Sequence, residues 1–189
     1  MTKEEMLGKI AAFSPLCEQE EKDKLLFLQA FAAHGNLFDR ACLPCHMTAS
    51  GWIVNKSRTK VLMAYHNIYD SWSWLGGHAD GEYDLLSVAL REAKEESGLE
   101  EVEAVSGEIF SIESLTVDGH IKKGVYVPSH LHLNVTYLLE ADENAPLRAR
   151  EGENKAVGWF APEEALAAST EPWFVERVYG KLVGRVKKL

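Results

Sequence analysis

Residues 77–99, GHADGEYDLLSVALREAKEESGL, combine glycines, a helical apolar pattern and a run of acids. Glycine tolerates backbone angles that other residues resist, so Gly76, Gly77 and Gly81 predict a loop before the helix. Gly98 follows the acidic run, where a helix needs a C-terminal stop. The apolar positions at helical spacing are Leu86, Ala89, Leu90 and Ala93. The stretch therefore predicts a glycine loop and then a helix with one face packed on a core.

Three carboxylates flank that apolar face. Glu92, Glu95 and Glu96 stand at i, i+3 and i+4, a spacing that makes helical side chains neighbours. Each pair of like charges repels by roughly 1 kcal/mol in water and about 4 kcal/mol at a partly buried surface. Hard carboxylate oxygens favour Mg²⁺ or Mn²⁺ over zinc, and Mg²⁺ commonly shares its shell with substrate phosphate oxygens. The acids therefore predict a divalent-metal site directed at a phosphate ester.

The segment resembles the signature of the Nudix hydrolase family, which runs Gly, five residues, Glu, seven residues, Arg-Glu, an aliphatic residue, any residue, Glu-Glu, any residue, Gly and an aliphatic residue. Three positions depart from the family pattern. Tyr83 occupies the place of the first glutamate, Ala93 replaces a bulkier aliphatic residue, and Leu75 stands where a proline is common. The residues in register are Gly77, Arg91, Glu92, Glu95, Glu96, Gly98 and Leu99.

The resemblance implies an α+β fold, in which a mixed β-sheet is sandwiched between helices in an α/β/α arrangement. It also implies a pyrophosphohydrolase that cleaves the diphosphate linkage of a nucleoside diphosphate joined to another group, with Mg²⁺ or Mn²⁺ as cofactor. Glu92, Glu95 and Glu96 become the metal ligands. Arg91 then orients the glutamates, and Glu153 joins Glu92 and Glu96 among the catalytic candidates, with Glu151 as the second choice in its loop.

Substrate contacts are predicted from two further places. Gly76, Gly77 and His78 lie in the glycine segment, where backbone and imidazole approach a phosphate. His130 and His132 alternate with apolar neighbours in a predicted strand and therefore point to one face, as does Asn134. This polar stripe indicates either a substrate cleft or an ordinary exposed strand face.

Other functions remain open from the sequence. A Glu-rich helix is often only a solvated surface. A non-catalytic nucleotide-sensing Nudix domain is a second alternative, and an interaction module is a third. An enzyme like isopentenyl diphosphate isomerase is a fourth, although that chemistry uses a cysteine near the glycine segment and residues 74–78 contain none.

Composition limits the partners. The chain has 189 residues, 46% hydrophobic content and a formal charge of −9. The acidic balance disfavours a nucleic-acid backbone or an anionic membrane as partner, since both attract basic surfaces. Residues 1–5 lack the basic-then-apolar order of a secretion signal, which predicts a cytoplasmic protein. A homodimer formed through the N-terminal helices is a further expectation.

The three cysteines do not form a disulfide framework, because their number is odd. Residues 42–46, CLPCH, spell a string associated with covalent haem attachment. Cys17, Cys42, Cys45 and His46 also offer four donors for a structural zinc site. The interpretation favoured here is that Cys42 and Cys45 are free thiols at the entry to a strand.

The order of elements predicts an N-terminal helical extension over residues 1–40 and a Nudix domain over residues 41–189. Residues 56–58 read as the turn of a hairpin, and Gly107 as a break within a β-prone segment. The predicted helices are 3–13, 18–33, 84–97, 162–168 and 173–187. The predicted strands are 48–55, 60–66, 102–117, 122–127, 130–139 and 156–160.

Overall fold

A mixed eight-stranded sheet forms the centre of the computed structural model, which describes residues 1–122 and 124–189. A separate two-stranded hairpin, β7 and β8, lies outside that sheet. In chain order the strands are β1 (Cys45–Asn55), β2 (Val61–His66), β3 (Ser71–Ser73), β4 (Leu75–His78), β5 (Glu103–Ala104), β6 (Ser111–Val117), β7 (His120–Lys122), β8 (Val125–Val127), β9 (His130–Ala141) and β10 (Asn154–Phe160).

The two longest strands, β1 and β9, run parallel at the middle of the sheet, with His46 opposite His132. The path through the sheet is β10–β2–β1–β9–β5. Strands β3, β4 and β6 pair antiparallel with β2, β1 and β9 respectively. This arrangement places β4 and the start of β9 on either side of the first residues of β1.

Helices cover both faces of the sheet. They are α1 (Lys3–Ala12), α2 (Glu18–Ala33), α3 (Leu85–Ser97), α4 (Pro162–Ala168), α5 (Pro172–Phe174), a π-helical segment (Val175–Tyr179) and α6 (Gly180–Val186). One core joins α1, α2 and α3 to the sheet through residues such as Phe27, Val88 and Val135. A second core joins the C-terminal helices to the other face through Trp52 and Leu182.

Local signals explain where α3 begins and ends. The Asp84 side chain accepts a hydrogen bond from the Ser87 N–H at 3.4 Å and so caps the first turn. Gly98 ends the helix in the left-handed region, with φ of 72°. A side chain at Gly98 would also meet Arg148, because an added Cβ would lie 2.8 Å from the Arg148 Cβ.

The predicted α+β class and the helix–sheet–helix layering are confirmed, and the N-terminal helices are present. The two predicted N-terminal helices and the hairpin turn at residues 56–58 are observed. The division at residue 40 stays a prediction, although Phe27 shares its core with the sheet. Across the described ranges, none of the helices has the length and apolar character that crossing a membrane requires.

Two local predictions are wrong. Gly76, Gly77 and His78 do not form a loop, because they belong to β4, which pairs with β1 from Gly51 to Thr48. The loop begins only after His78. The strand predicted over residues 122–127 includes Lys123, which lies outside the described residues, and the flanking strands β7 and β8 run antiparallel to each other. An alternating sequence pattern does not reveal such a reversal of direction.

Candidate active site

Glu96 is buried beside β4. The residue is only 7% exposed to solvent, and its Oε2 accepts a hydrogen bond from the Gly76 N–H at 3.0 Å. The pKa of the Glu96 carboxyl is raised to about 8, chiefly by burial and also by the charges of Glu92 and Glu153, although the hydrogen bond from the Gly76 N–H acts in the opposite direction. The Glu96 carboxyl is therefore short of positive charge in its surroundings.

Glu92 packs directly on Gly77. A Cβ added at Gly77 would lie 2.5 Å from the Glu92 Cδ, so the glycine is needed for close approach. Burial raises the pKa of Glu92, although Arg91 acts in the opposite direction. The Arg91 Nη2 donates to the Glu92 Oε1 at 3.2 Å, and the predicted role of Arg91 in orienting the glutamates stays a prediction. Each of the two glycines of β4 therefore contacts one carboxylate of α3: Gly76 contacts Glu96, and Gly77 contacts Glu92.

Arg150 brings three acids together from the loop before β10. Its Nη1 lies 3.5 Å from the Glu92 Oε2, 3.0 Å from the Glu95 Oε2 and 3.2 Å from the Glu153 Oε2. A single guanidinium therefore offsets much of the repulsion among these carboxylates. Sequence reasoning missed Arg150, and the available signal was a basic pair, Arg148 and Arg150, in an otherwise acidic chain.

The carboxylates offer the oxygen donors that a hard divalent cation prefers, but in the described part of the chain Glu92, Glu95 and Glu96 do not bring three ligand atoms within 4.8 Å of one another. Glu95 has a side chain that is 42% exposed, whereas the Glu92 side chain is 14% exposed, so the cluster opens to solvent on one side. The guanidinium of Arg150 contacts three carboxylates, so a positive charge is favoured at this point. Oxygen-only donors fit Mg²⁺ or Mn²⁺.

A group of histidines lies where β1, β4 and β9 run side by side. The His78 ring centroid lies 4.7 Å from that of His132 and 5.2 Å from that of His46. In the described part of the chain, one group of three potential metal ligands has its ligand atoms within 4.8 Å of one another. It consists of His46, His130 and His132. The predicted substrate residues His78, His130 and His132 are thus brought together, and His46 joins them.

Cys17, Cys42 and Cys45 form no disulfide with one another, and Cys42 and Cys45 lie at the entry to β1 as predicted, whereas the absence of haem or zinc there stays a prediction. Burial raises the pKa of the Cys45 thiol to about 11, so this sulfur stays protonated. His46 is the one member of the proposed Cys-rich zinc set that belongs to the donor group just described.

Asn134 does not line an open cleft. It is 1% exposed, and its Oδ1 accepts hydrogen bonds from Thr48 at 3.0 Å and from Ser50 at 2.9 Å. Its Nδ2 donates to the buried Glu113 at 3.2 Å. The predicted polar stripe therefore divides into a histidine group and a buried hydrogen-bond network, because the residues on β1 and β6 that cover Asn134 are themselves polar.

The NUDIX domain model matches residues 45–179, which is well over half of the chain. A hydrolase of the NUDIX family from Clostridium perfringens has a similar structure at 24% identity, with a TM-score of 0.54, covering 76% of this chain and 97% of that one. The E. coli dihydroneopterin triphosphate pyrophosphohydrolase is similar at 16% identity with a TM-score of 0.54, covering 72% of this chain and 94% of that one.

A Nudix hydrolase from M. smegmatis, RenU, is similar at 15% identity with a TM-score of 0.54, covering 76% of this chain and 87% of that one. No curated protein matches the sequence significantly. At these identities the structural likenesses establish the fold alone. The family match supports a pyrophosphohydrolase enzyme, as the sequence predicts. The match to the family model leads to one assignment: the chain belongs to the NUDIX domain family.

Proposed function

We propose that the protein hydrolyses a diphosphate linkage in a nucleoside diphosphate joined to another group, with Mg²⁺ or Mn²⁺ held by Glu92, Glu95 and Glu96. The observation that supports this most is the packing of two α3 carboxylates on the glycine backbone of β4, together with the Arg150 cation among the acids. If α3 were only a surface helix with solvated acids, Glu96 would be exposed to solvent, and residue 77 would not have to be a glycine to make room for Glu92.

Different residues of the chain have different roles in the proposed reaction. Arg91 holds the Glu92 carboxylate by a charge-assisted hydrogen bond. Gly76 holds Glu96 through its backbone N–H. Glu153 lies on a loop with a side chain that is 51% exposed, so it can reach a water molecule and accept its proton. A bound divalent cation supplies the charge that neutralises diphosphate oxygens and activates water for substitution at phosphorus.

The substrate class is tested with a panel of purified compounds in Mg²⁺. The panel contains ADP-ribose, dinucleoside polyphosphates, nucleotide sugars, NADH, coenzyme A and nucleoside triphosphates. We expect at least one compound to yield a product that contains a nucleoside monophosphate. The solved E. coli relative named as a triphosphate pyrophosphohydrolase makes triphosphates a necessary part of the panel. A panel with no turnover in Mg²⁺ or Mn²⁺ would favour the nucleotide-sensing alternative.

Arg150 is expected to compete with the divalent cation. Its guanidinium contacts Glu92, Glu95 and Glu153 with partial exposure, and such ion pairs contribute about 0.2–1 kcal/mol each. We therefore expect Arg150→Met to tighten Mg²⁺ binding, measured by calorimetry without substrate, by about 3- to 10-fold.

Arg148→Met is the matched control, because Arg148 is an exposed arginine of the same loop and the substitution removes the same charge. Equal tightening in both variants would assign the effect to net charge. Weaker binding in Arg150→Met would show that Arg150 supports the metal site and does not compete with the ion.

The remaining predictions about the protein's surroundings rest on the sequence. They are a cytoplasmic location, the absence of nucleic-acid and membrane partners, and a homodimer through α1 and α2. The free state of the three cysteines agrees with a reducing compartment.

A further inference from the structure

Three imidazoles meet where β1 and β9 run side by side. His46 on β1 lies opposite His132 on β9 in the parallel register, and His130 precedes His132 by two residues on the same face. The Nε2 atoms of His130 and His132 are 3.3 Å apart. One ligand atom from each of the three residues lies within 4.8 Å of the others.

Backbone carbonyls fix the orientation of two of these rings. The His46 Nδ1 lies 3.3 Å from the Cys42 carbonyl oxygen, and the His130 Nδ1 lies 2.8 Å from that of Pro128. A carbonyl oxygen only accepts, so each Nδ1 carries the proton and donates. The Nε2 lone pair of each ring then lies on the opposite side, where that of His130 faces the His132 Nε2 at hydrogen-bond distance, 3.3 Å. Metal-binding histidines are typically held in this way, with the other ring nitrogen donating to a carbonyl or carboxylate.

The His46 Nε2 is buried and has no hydrogen-bond partner within the described part of the chain. Buried polar atoms are nearly always satisfied, and an exception indicates a ligand, an ion or strain. His46 as a whole is 5% exposed, and burial lowers its pKa.

We infer that His46, His130 and His132 bind a divalent transition-metal ion of the zinc type, at a site distinct from the carboxylates of α3. Nitrogen donors select zinc-like ions, whereas Mg²⁺ prefers the oxygen donors of the glutamates. In a tetrahedral zinc site with Zn–N bonds of about 2.0–2.1 Å, two ligand nitrogens lie about 3.3 Å apart. This separation agrees with that of the two Nε2 atoms on β9.

A phosphate-binding role for the same rings fits less well. A phosphate oxygen needs a donor, but the Nδ1–H groups of His46 and His130 already bond to carbonyls. Their Nε2 lone pairs would face the anion. The ring of His78, two residues after Gly76 on β4, meets the ring of His132 edge-on, with the centroids 4.7 Å apart.

The test measures metal binding without an activity assay. The protein is stripped with a chelator, transferred into excess Mg²⁺ to fill the carboxylate site, and titrated with Zn²⁺ or Co²⁺ against a chromophoric competitor. We expect one equivalent to bind and the visible Co²⁺ spectrum to report nitrogen donors in a tetrahedral field. His132→Ala and His130→Ala should each weaken Zn²⁺ binding by at least about 100-fold.

Two controls separate this site from the proposed hydrolase site. His120→Ala removes an imidazole from the β7–β8 hairpin and should leave Zn²⁺ affinity unchanged. Glu96→Gln should also retain Zn²⁺ binding, although it is expected to lose turnover. If a variant of a buried histidine does not fold, His130→Ala still decides the question, because His130 is the first residue of β9 and lies outside the hydrophobic core.

Absence of stoichiometric Zn²⁺ binding in excess Mg²⁺ would overturn the inference. Binding that persists in both His130→Ala and His132→Ala would overturn it as well. Binding that is lost in Glu96→Gln and kept in the histidine variants would place the ion at the carboxylates instead. None of these results would by itself remove the proposed hydrolysis, which is measured with Mg²⁺ alone.

Discussion

Glu96→Gln is expected to lower turnover by about 100- to 1,000-fold, the range typical for loss of a central electrostatic group in an active site. The amide keeps the size of the side chain and an oxygen that accepts the Gly76 N–H, so the contact with β4 survives. It removes the negative charge that a divalent cation requires. Steady-state hydrolysis of the best panel substrate measures the effect.

The same substitution should not harm the fold. Burial raises the pKa of the Glu96 carboxyl, so the protein without metal gains nothing from the charged form. We expect the melting temperature of Glu96→Gln to equal or exceed that of the parent protein. Glu101→Gln, an exposed acid just beyond α3, is the control and should keep full turnover. A Glu96→Gln variant with parental activity would contradict the assigned role.

Glu20→Gln is expected to lower the free energy of unfolding by about 3–5 kcal/mol, because it breaks a buried ion-pair network. Glu20 is fully buried on α2 and accepts hydrogen bonds from Arg185 and from the Ser111 hydroxyl, the latter at 2.8 Å. Lys181 lies 3.2 Å from Glu20 and 2.9 Å from the buried Glu113. The network connects α2, β6 and the C-terminal helix α6.

Urea unfolding measures this loss of stability. Glu21→Gln, an exposed acid in the same turn of α2, should change the free energy of unfolding by less than about 0.5 kcal/mol. A double variant, Glu20→Leu with Arg185→Met, should lose less stability than Glu20→Gln, because it leaves no buried guanidinium without its partner. Equal stability of Glu20→Gln and the parent would contradict the energetic importance of the network.

The network also predicts a pH dependence. Burial acts to raise the pKa of Glu20, but the bonds from Arg185 and the Leu16 N–H and the charge of Lys181 outweigh it, and the net pKa is lowered. A lowered folded-state pKa contributes stability above the unfolded value of roughly 4.3. That contribution is lost as the pH falls through the folded-state pKa. The stability of Glu20→Gln should therefore change less than that of the parent below pH 4.3.

The sequence predicts the parts of this fold that depend on local pattern. Residues 18–33 form the predicted helix with the same bounds, and α3 begins one residue after Asp84, its capping residue. The sequence does not predict that Gly76 and Gly77 lie in a strand, because glycine pairs normally indicate turns. Only the pairing of β4 with β1 and the carboxylates packed on it show why both residues lack side chains.

The site residues that the sequence does not predict, Arg150 and His46, depend on contacts between segments that are distant along the chain. The acids of α3 could be placed on one helical edge from their spacing, but Arg150 reaches them from a loop more than 50 residues later. The sequence groups His46 only with the cysteines of the CLPCH string and Cys17. Its actual partners, His130 and His132, come from the parallel pairing of β1 with β9, which a single sequence does not reveal.

The most direct test of the central claim is the metal dependence of hydrolysis by the whole protein. The panel substrate with the highest rate is assayed after dialysis against EDTA, during titration with Mg²⁺, and in Glu92→Gln and Glu96→Gln. We predict that hydrolysis disappears without metal, returns as Mg²⁺ is added, and stays low in both variants at saturating Mg²⁺. Hydrolysis that continues in EDTA, or full rescue of both variants by Mg²⁺, would contradict a diphosphate hydrolase that depends on these carboxylates.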